Sequence, residues 1–169
     1  MKKKYHILLY GLLMLSSSLF AQDGKFKALF MYNFTKYLEW PSNKQSGDFI
    51  IGVFGKSDIT EELRIIAGKK KVGTQNITIK EISATSELSA CHILYVPENQ
   101  SSKIEDIASI CLKSGTVLIT DKPGMAKTLS GINYIKVDGK QSFEVNKSNL
   151  EKQGVKVNSS LLTLGVMVQ

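Results

Sequence analysis

Three groupings of residues have the types that chemistry needs, and their spacing argues against each. Gly52-Val53-Phe54-Gly55-Lys56-Ser57 sets out glycines, a lysine and a hydroxyl in the order of a nucleotide phosphate loop. Wrapping phosphates takes four residues between the glycines, and here there are two. The segment reads instead as a strand-to-helix turn that needs a flexible residue. Cys91 and His92 are the one thiol–imidazole neighbour pair. If they open a strand, their side chains point to opposite faces and cannot share the hydrogen bond of a nucleophile and its base. His92 with Cys91 and Cys111 does not supply the spaced ligand pairs of a structural zinc site, so no metal is expected. Carboxylates are scattered, with no pair whose meeting follows from spacing, which leaves glycosidase-type chemistry unsupported. Sequons begin at Asn33, Asn76, Asn99, Asn146 and Asn158, but Asn33 falls in a helical pattern and the set is weak evidence for glycosylation. Without a catalytic constellation or cofactor motif, the chain reads as a binding or regulatory module and not as an enzyme.

The first 21 residues suggest where such a module works. Lys2, Lys3 and Lys4 precede an apolar run from Ile7 to Leu15, then Ser16 to Ala21. That is the order of a secretory signal, and the run is far short of the roughly 20 residues that span a bilayer. Cleavage is expected after Ala21, with residues 22–169 forming one domain. No cysteine follows that point to carry a lipid. Loss of the three leader lysines takes the formal charge from +7 to +4. The cations are lysines apart from Arg64, whereas bidentate recognition of phosphates and bases favours arginine, so nucleic acid is not an expected partner. Export also allows disulfides. Cys91 at the start of a strand and Cys111 at the end of the returning helix lie at one end of a βα unit, which leaves two readings: a bond, or two small buried thiols.

The elements that would position these groups follow from periodicity. Phe26, Leu29, Phe30, Phe34, Tyr37 and Leu38 recur at spacings of three and four, predicting a helix from Lys25 to Leu38, with Pro41 ending the segment after Trp40. Apolar strands are expected at Phe49–Phe54, Ile77–Ile82, His92–Val96 and Thr116–Thr120. Between them, Asp58 and then Ser101 or Ser102 are expected to cap helices that end at Gly68 and Gly115. Asp138-Gly139 between Ile132–Val137 and Ser142–Val145 is a hairpin signal. A short helix over Ser148–Gln153 and a last one capped by Asn158 or Ser159 close the chain. The fold class is α/β: three layers, with a largely parallel sheet of about six strands flanked by helices and an antiparallel C-terminal hairpin.

Several stretches, in order, resemble the YfiR-like family of bacterial periplasmic proteins. They are Lys27–Pro41 with its Tyr-Asn-Phe and Trp-Pro, Ile51–Gly55, Cys91–Val96, Gly131–Tyr134, Ser142–Asn146 and Gly154–Leu164. The resemblance implies a periplasmic α/β domain, often dimeric, that binds the outer part of an inner-membrane signalling protein and holds it inactive. In the namesake system that protein is a diguanylate cyclase, so the output is cyclic di-GMP and biofilm formation. Cys91 matches a family cysteine position; Cys111 does not, and the family's additional cysteines are missing. A sensor histidine kinase in place of the cyclase, or a sensor whose main task is to capture a small molecule and signal to a kinase or transporter, are the alternatives.

Partner control is expected to run through the C-terminal hairpin and the following helix, around Ile132, Glu144 and Leu150. Regular alternation puts Phe143 and Val145 on one face and Ser142, Glu144 and Asn146 on the other. Glu144 then either meets a basic partner surface or locks the local fold by a hydrogen bond.

Overall fold

The computed structural model describes residues 23–169. The expected leader lies outside them. Helix α1 covers residues 23–34, followed by strand β1 (Leu38–Glu39), β2 (Phe49–Phe54), α2 (Ile59–Ala67), β3 (Lys71–Val72), β4 (Gln75–Ile82) and β5 (Ile93–Val96). Then come α3 (Ile104–Ser114), β6 (Val117–Thr120), α4 (Met125–Thr128), β7 (Ile132–Val137), β8 (Lys140–Val145), α5 (Lys147–Lys152), β9 (Lys156–Val157), α6 (Ser159–Leu164) and β10 (Val166–Met167).

The main sheet has the strand order β10-β8-β7-β6-β5-β2-β4-β3. From β4 to β7 every pairing is parallel; β7–β8 and β3–β4 are antiparallel. It is larger than the expected six strands because β3 and β10 add two-residue edges too short to carry a period. Alternation along the central strands feeds two cores. Ile51, Val53, Ile93, Tyr95, Val117 and Ile119 face α1, α2, α5 and α6; Phe54, Ile82, Leu94, Val96 and Leu118 face α3 and the 3-10 segment Thr85–Ala90. Burial on both faces explains why these strands read as unbroken apolar runs. Gly52 carries no Cβ because one would lie 2.7 Å from the Cys91 sulfur.

Four local expectations are corrected. The first helix stops at residue 34: Thr35, Lys36 and Tyr37 donate to carbonyls three residues back, and Leu38–Glu39 then pairs antiparallel with β9. An extended residue before Pro41 suits that strand better than a helix end. Asp58 has helical dihedrals and makes no capping bond, while Ser101 donates to the Glu98 carbonyl within a 3-10 turn leading into α3. Asn146, not Ser148, caps α5 by accepting from the Asn149 N–H at 3.0 Å. Gly115 ends α3 at φ 66°, and Asp138 (φ 49°) with Gly139 (φ 74°) turns the β7–β8 hairpin, as their residue types predict.

The chain runs from β2 outward to β4, then crosses back to β5 on the other side of β2. In open parallel sheets that reversal leaves a crevice above the carboxyl ends of the two diverging strands. The fold therefore points to one end of β2 and β5 as a place for ligands.

Candidate functional site

Above the β2–β5 reversal lies a polar cluster that sequence spacing could not assemble. Asp121 directly follows β6, Tyr95 sits near the end of β5, and Lys27 reaches over from α1. Asp121 Oδ2 accepts from Lys27 Nζ at 2.7 Å and from Tyr95 OH at 2.5 Å, while Oδ1 accepts from the Glu98 N–H at 2.6 Å. Tyr134 OH on β7 donates to the Lys27 carbonyl at 2.7 Å, fastening the helix backbone to the sheet. Burial, reinforced by the Asp121 charge, holds both phenols well above the usual tyrosine range, so they stay protonated donors. Two clefts flank the Lys27–Asp121 bridge. One of about 550 Å³ opens toward Lys56, Ser57, Asp58 and Asn99; the other, about 430 Å³, opens toward Lys136 and Gln141. The cluster mixes cations, carboxylates and hydroxyls but holds no nucleophile beside a base. The one signal sequence offered was an aspartate just beyond a parallel strand's carboxyl end.

His92 sits at the opposite end of the sheet with both ring nitrogens occupied. Nδ1 accepts from the Ile50 N–H at 3.0 Å and Nε2 meets the Lys44 carbonyl at 2.7 Å, which assigns the proton to Nε2. Burial pushes its pKa down. Lys44 is also lowered by burial, and its ammonium donates to the Cys91 carbonyl at 2.5 Å. Cys91 lies in the α3-side core and His92 against Phe49, ring to ring at 4.4 Å, so the neighbour pair forms no catalytic dyad. A folded pKa below the unfolded value of about 6.5 means that neutral His92 supports stability above that pH and opposes folding as it protonates. Stability to urea should be level from pH 8 to about 6.5 and decline as the pH falls through the folded value, with the imidazole NMR shifts titrating below the unfolded midpoint. Ordinary titration near 6.5 would contradict the buried assignment.

Cys91 and Cys111 are both buried free thiols in the same core cluster. Burial pushes Cys91 up to about 11, and burial together with Cys91 pushes Cys111 up to about 12, so neither is a reactive thiolate at neutral pH. Among the described residues no group of three acidic, histidine or cysteine side chains gathers as a metal site, and no helix is long and apolar enough to cross a membrane.

Of the three residues placed in the partner region, Ile132 and Leu150 are fully buried in the first core. Leu150 packs so closely on Gly131 that a Cβ there would strike it. They shape the region from beneath. Glu144 alone reaches solvent, half-buried, and its Oε2 accepts from Asn133 Nδ2 at 3.1 Å. Asn133 is itself fully buried and accepts from Thr120 Oγ1 at 2.7 Å. Of the two readings of Glu144, the hydrogen bond that locks the local fold is present, and the residue still keeps part of its surface exposed.

Comparison with known proteins agrees with the ordered motifs. The model of the YfiR/HmsC-like domain, DUF4154, matches residues 24–166. The chain belongs to the YfiR/HmsC-like family, a family of periplasmic regulators. No curated protein matches it significantly. A crystal structure of the ABC domain from Streptococcus pneumonia, in complex with L-Trp, superposes with a TM-score of 0.52 at 14% identity, covering 72% of this chain and 55% of that one. The chain spans about half of that protein's length, and the likeness is one of fold.

Proposed function

We propose that the chain is exported, cut after Ala21, and binds the periplasmic part of an inner-membrane signalling protein to hold it inactive, with a diguanylate cyclase as that partner. Family membership over nearly the whole described chain carries this reading. The partly exposed Glu144, held in a fixed pose by buried Asn133, supplies a rigid charged contact on the hairpin. Glu144→Ala is expected to release the partner's periplasmic domain in a pull-down while costing about 1–2 kcal/mol of stability for the lost charge-assisted hydrogen bond. Retained binding at native stability removes Glu144 from the contact; collapse of the fold assigns it to structure. The intact mass of the periplasmic chain in the same preparation reads the cleavage point, and a loss of two hydrogens would show a Cys91–Cys111 bond where the structure has free thiols.

A second reading, a sensor that captures a small molecule, is favoured by one observation: the cleft of about 550 Å³ at the β2–β5 reversal. The two readings separate in the pull-down, because a pure sensor retains a ligand and no membrane partner.

A further inference from the structure

The two edges of the main sheet are treated differently. β3 ends one edge beside the exposed run Lys69-Lys70-Lys71, a common guard against strand addition. β10 ends the other with no charged residue between Leu161 and Gln169. Leu164 (56%), Val166 (44%) and Met167 (57%) are exposed there. The Val168 N–H donates to the Val145 carbonyl of β8 at 3.0 Å, so alternation turns the N–H and C=O of Met167 outward, away from the sheet. Where β10 runs out, a cavity of about 610 Å³ joins an apolar wall of Leu162, Met167 and Val168 to Lys127, Lys147 and Lys152. Glu151 is the one acidic side chain lining it, and it pairs with Lys147 at 3.5 Å.

We propose that β10 is the docking edge for an extended, acidic segment of a protein partner, which adds a strand to the sheet and sets its carboxylates among Lys127, Lys147 and Lys152. The proposal rests on the reading that the chain works by binding a protein, and it adds where and with what chemistry. Main-chain pairing along Met167 supplies the grip, and alternate side chains of the incoming strand meet the apolar wall. Charge selects the occupant. A second copy of this chain would bring the same three lysines and a net positive charge to the junction, whereas an acidic strand neutralises them.

The test uses the mature full chain, isotopically labelled, with a ten-residue peptide alternating Glu and Val and a Lys–Val counterpart. The Glu–Val peptide is expected to bind, to shift resonances of β10 and the three lysines, and to slow exchange of the Met167 amide. Reversing charge with Lys127→Glu, Lys147→Glu and Lys152→Glu together should weaken it roughly tenfold and admit the Lys–Val peptide instead. Met167→Pro removes the outward N–H without touching the bonds to β8, and should abolish protection at the edge. The proposal is overturned if both peptides bind alike, if shifts fall away from β10 and the three lysines, if neither binds, if an anionic detergent monomer reproduces every shift, or if the edge is occupied by self-association. Partner binding in the pull-down together with any of these outcomes would reject the edge while leaving the regulatory reading intact.

Discussion

Replacing Trp40 by alanine is expected to lower the unfolding free energy by about 3–5 kcal/mol, the usual cost of deleting a large buried aromatic ring. Trp40 follows β1 and is 5% exposed. Its ring stands edge-on to Phe49 at 4.8 Å, and Nε1 donates to the His92 carbonyl at 3.1 Å. It therefore ties the segment after α1 to the starts of both β2 and β5. Trp40→Phe keeps much of the packing and leaves the His92 carbonyl without this donor, so it should cost less, about 1–3 kcal/mol. Urea midpoints of the two variants decide the matter. Unchanged midpoints with lost partner binding would make Trp40 a surface anchor, which its burial opposes.

The two ends of the parallel strands divide the work. At the end where β5 and β6 begin, Lys44, Trp40 and Thr116 each donate to the backbone of Cys91 or His92. At the carboxyl end, Asp121 gathers three donors but clefts remain on both sides of it. A sheet pinned by hydrogen bonds at one end and grooved at the other suits a module that presents loops to a partner or ligand while its core stays fixed.

What the sequence revealed follows the range of the interactions involved. The central strands were legible because double burial writes itself as runs such as Phe49–Phe54, and the hairpin because Asp138-Gly139 has few other uses. β1 was read as helix because its pairing with β9 is nonlocal and only two residues long, so Tyr37 and Leu38 kept a helical spacing with no local sign of the change. The Lys27–Asp121 bridge joins residues 94 apart, and neither residue looks unusual in its own segment. Ile132 and Leu150 were placed in a partner face on position along the chain, but alternation in β7 and packing on Gly131 turn them inward. Only the side-chain polarity of Glu144 marked a residue that reaches the surface.

Asp121→Ala should have the second largest effect, about 2–4 kcal/mol. Hydrogen bonds to a charged acceptor contribute about 1.5–3 kcal/mol, and breaking a buried ion pair can cost about 3–5. The figure is reduced because the Lys27 and Asp121 side chains keep 19% and 17% of their exposure, where water screens the charge. Alanine strands the phenol of Tyr95, a residue only 2% exposed, and removes the acceptor of the Glu98 N–H. Asp121→Asn retains a carbonyl for one donor but not the charge, and should recover part of the loss. Because the Lys27 ammonium helps to hold α1 to this end of the sheet, beside the Lys136–Asp23 pair, amide exchange in the first turns of α1 should accelerate in Asp121→Ala beyond what global destabilisation predicts. A double-mutant cycle with Lys27→Met isolates the bridge from the tyrosine contact. Near-zero coupling, with α1 exchange unchanged, would show that the helix is held without this bridge, by its apolar face, the Tyr134 hydroxyl and the Lys136–Asp23 pair, and that the Lys27–Asp121 pair merely lines the clefts.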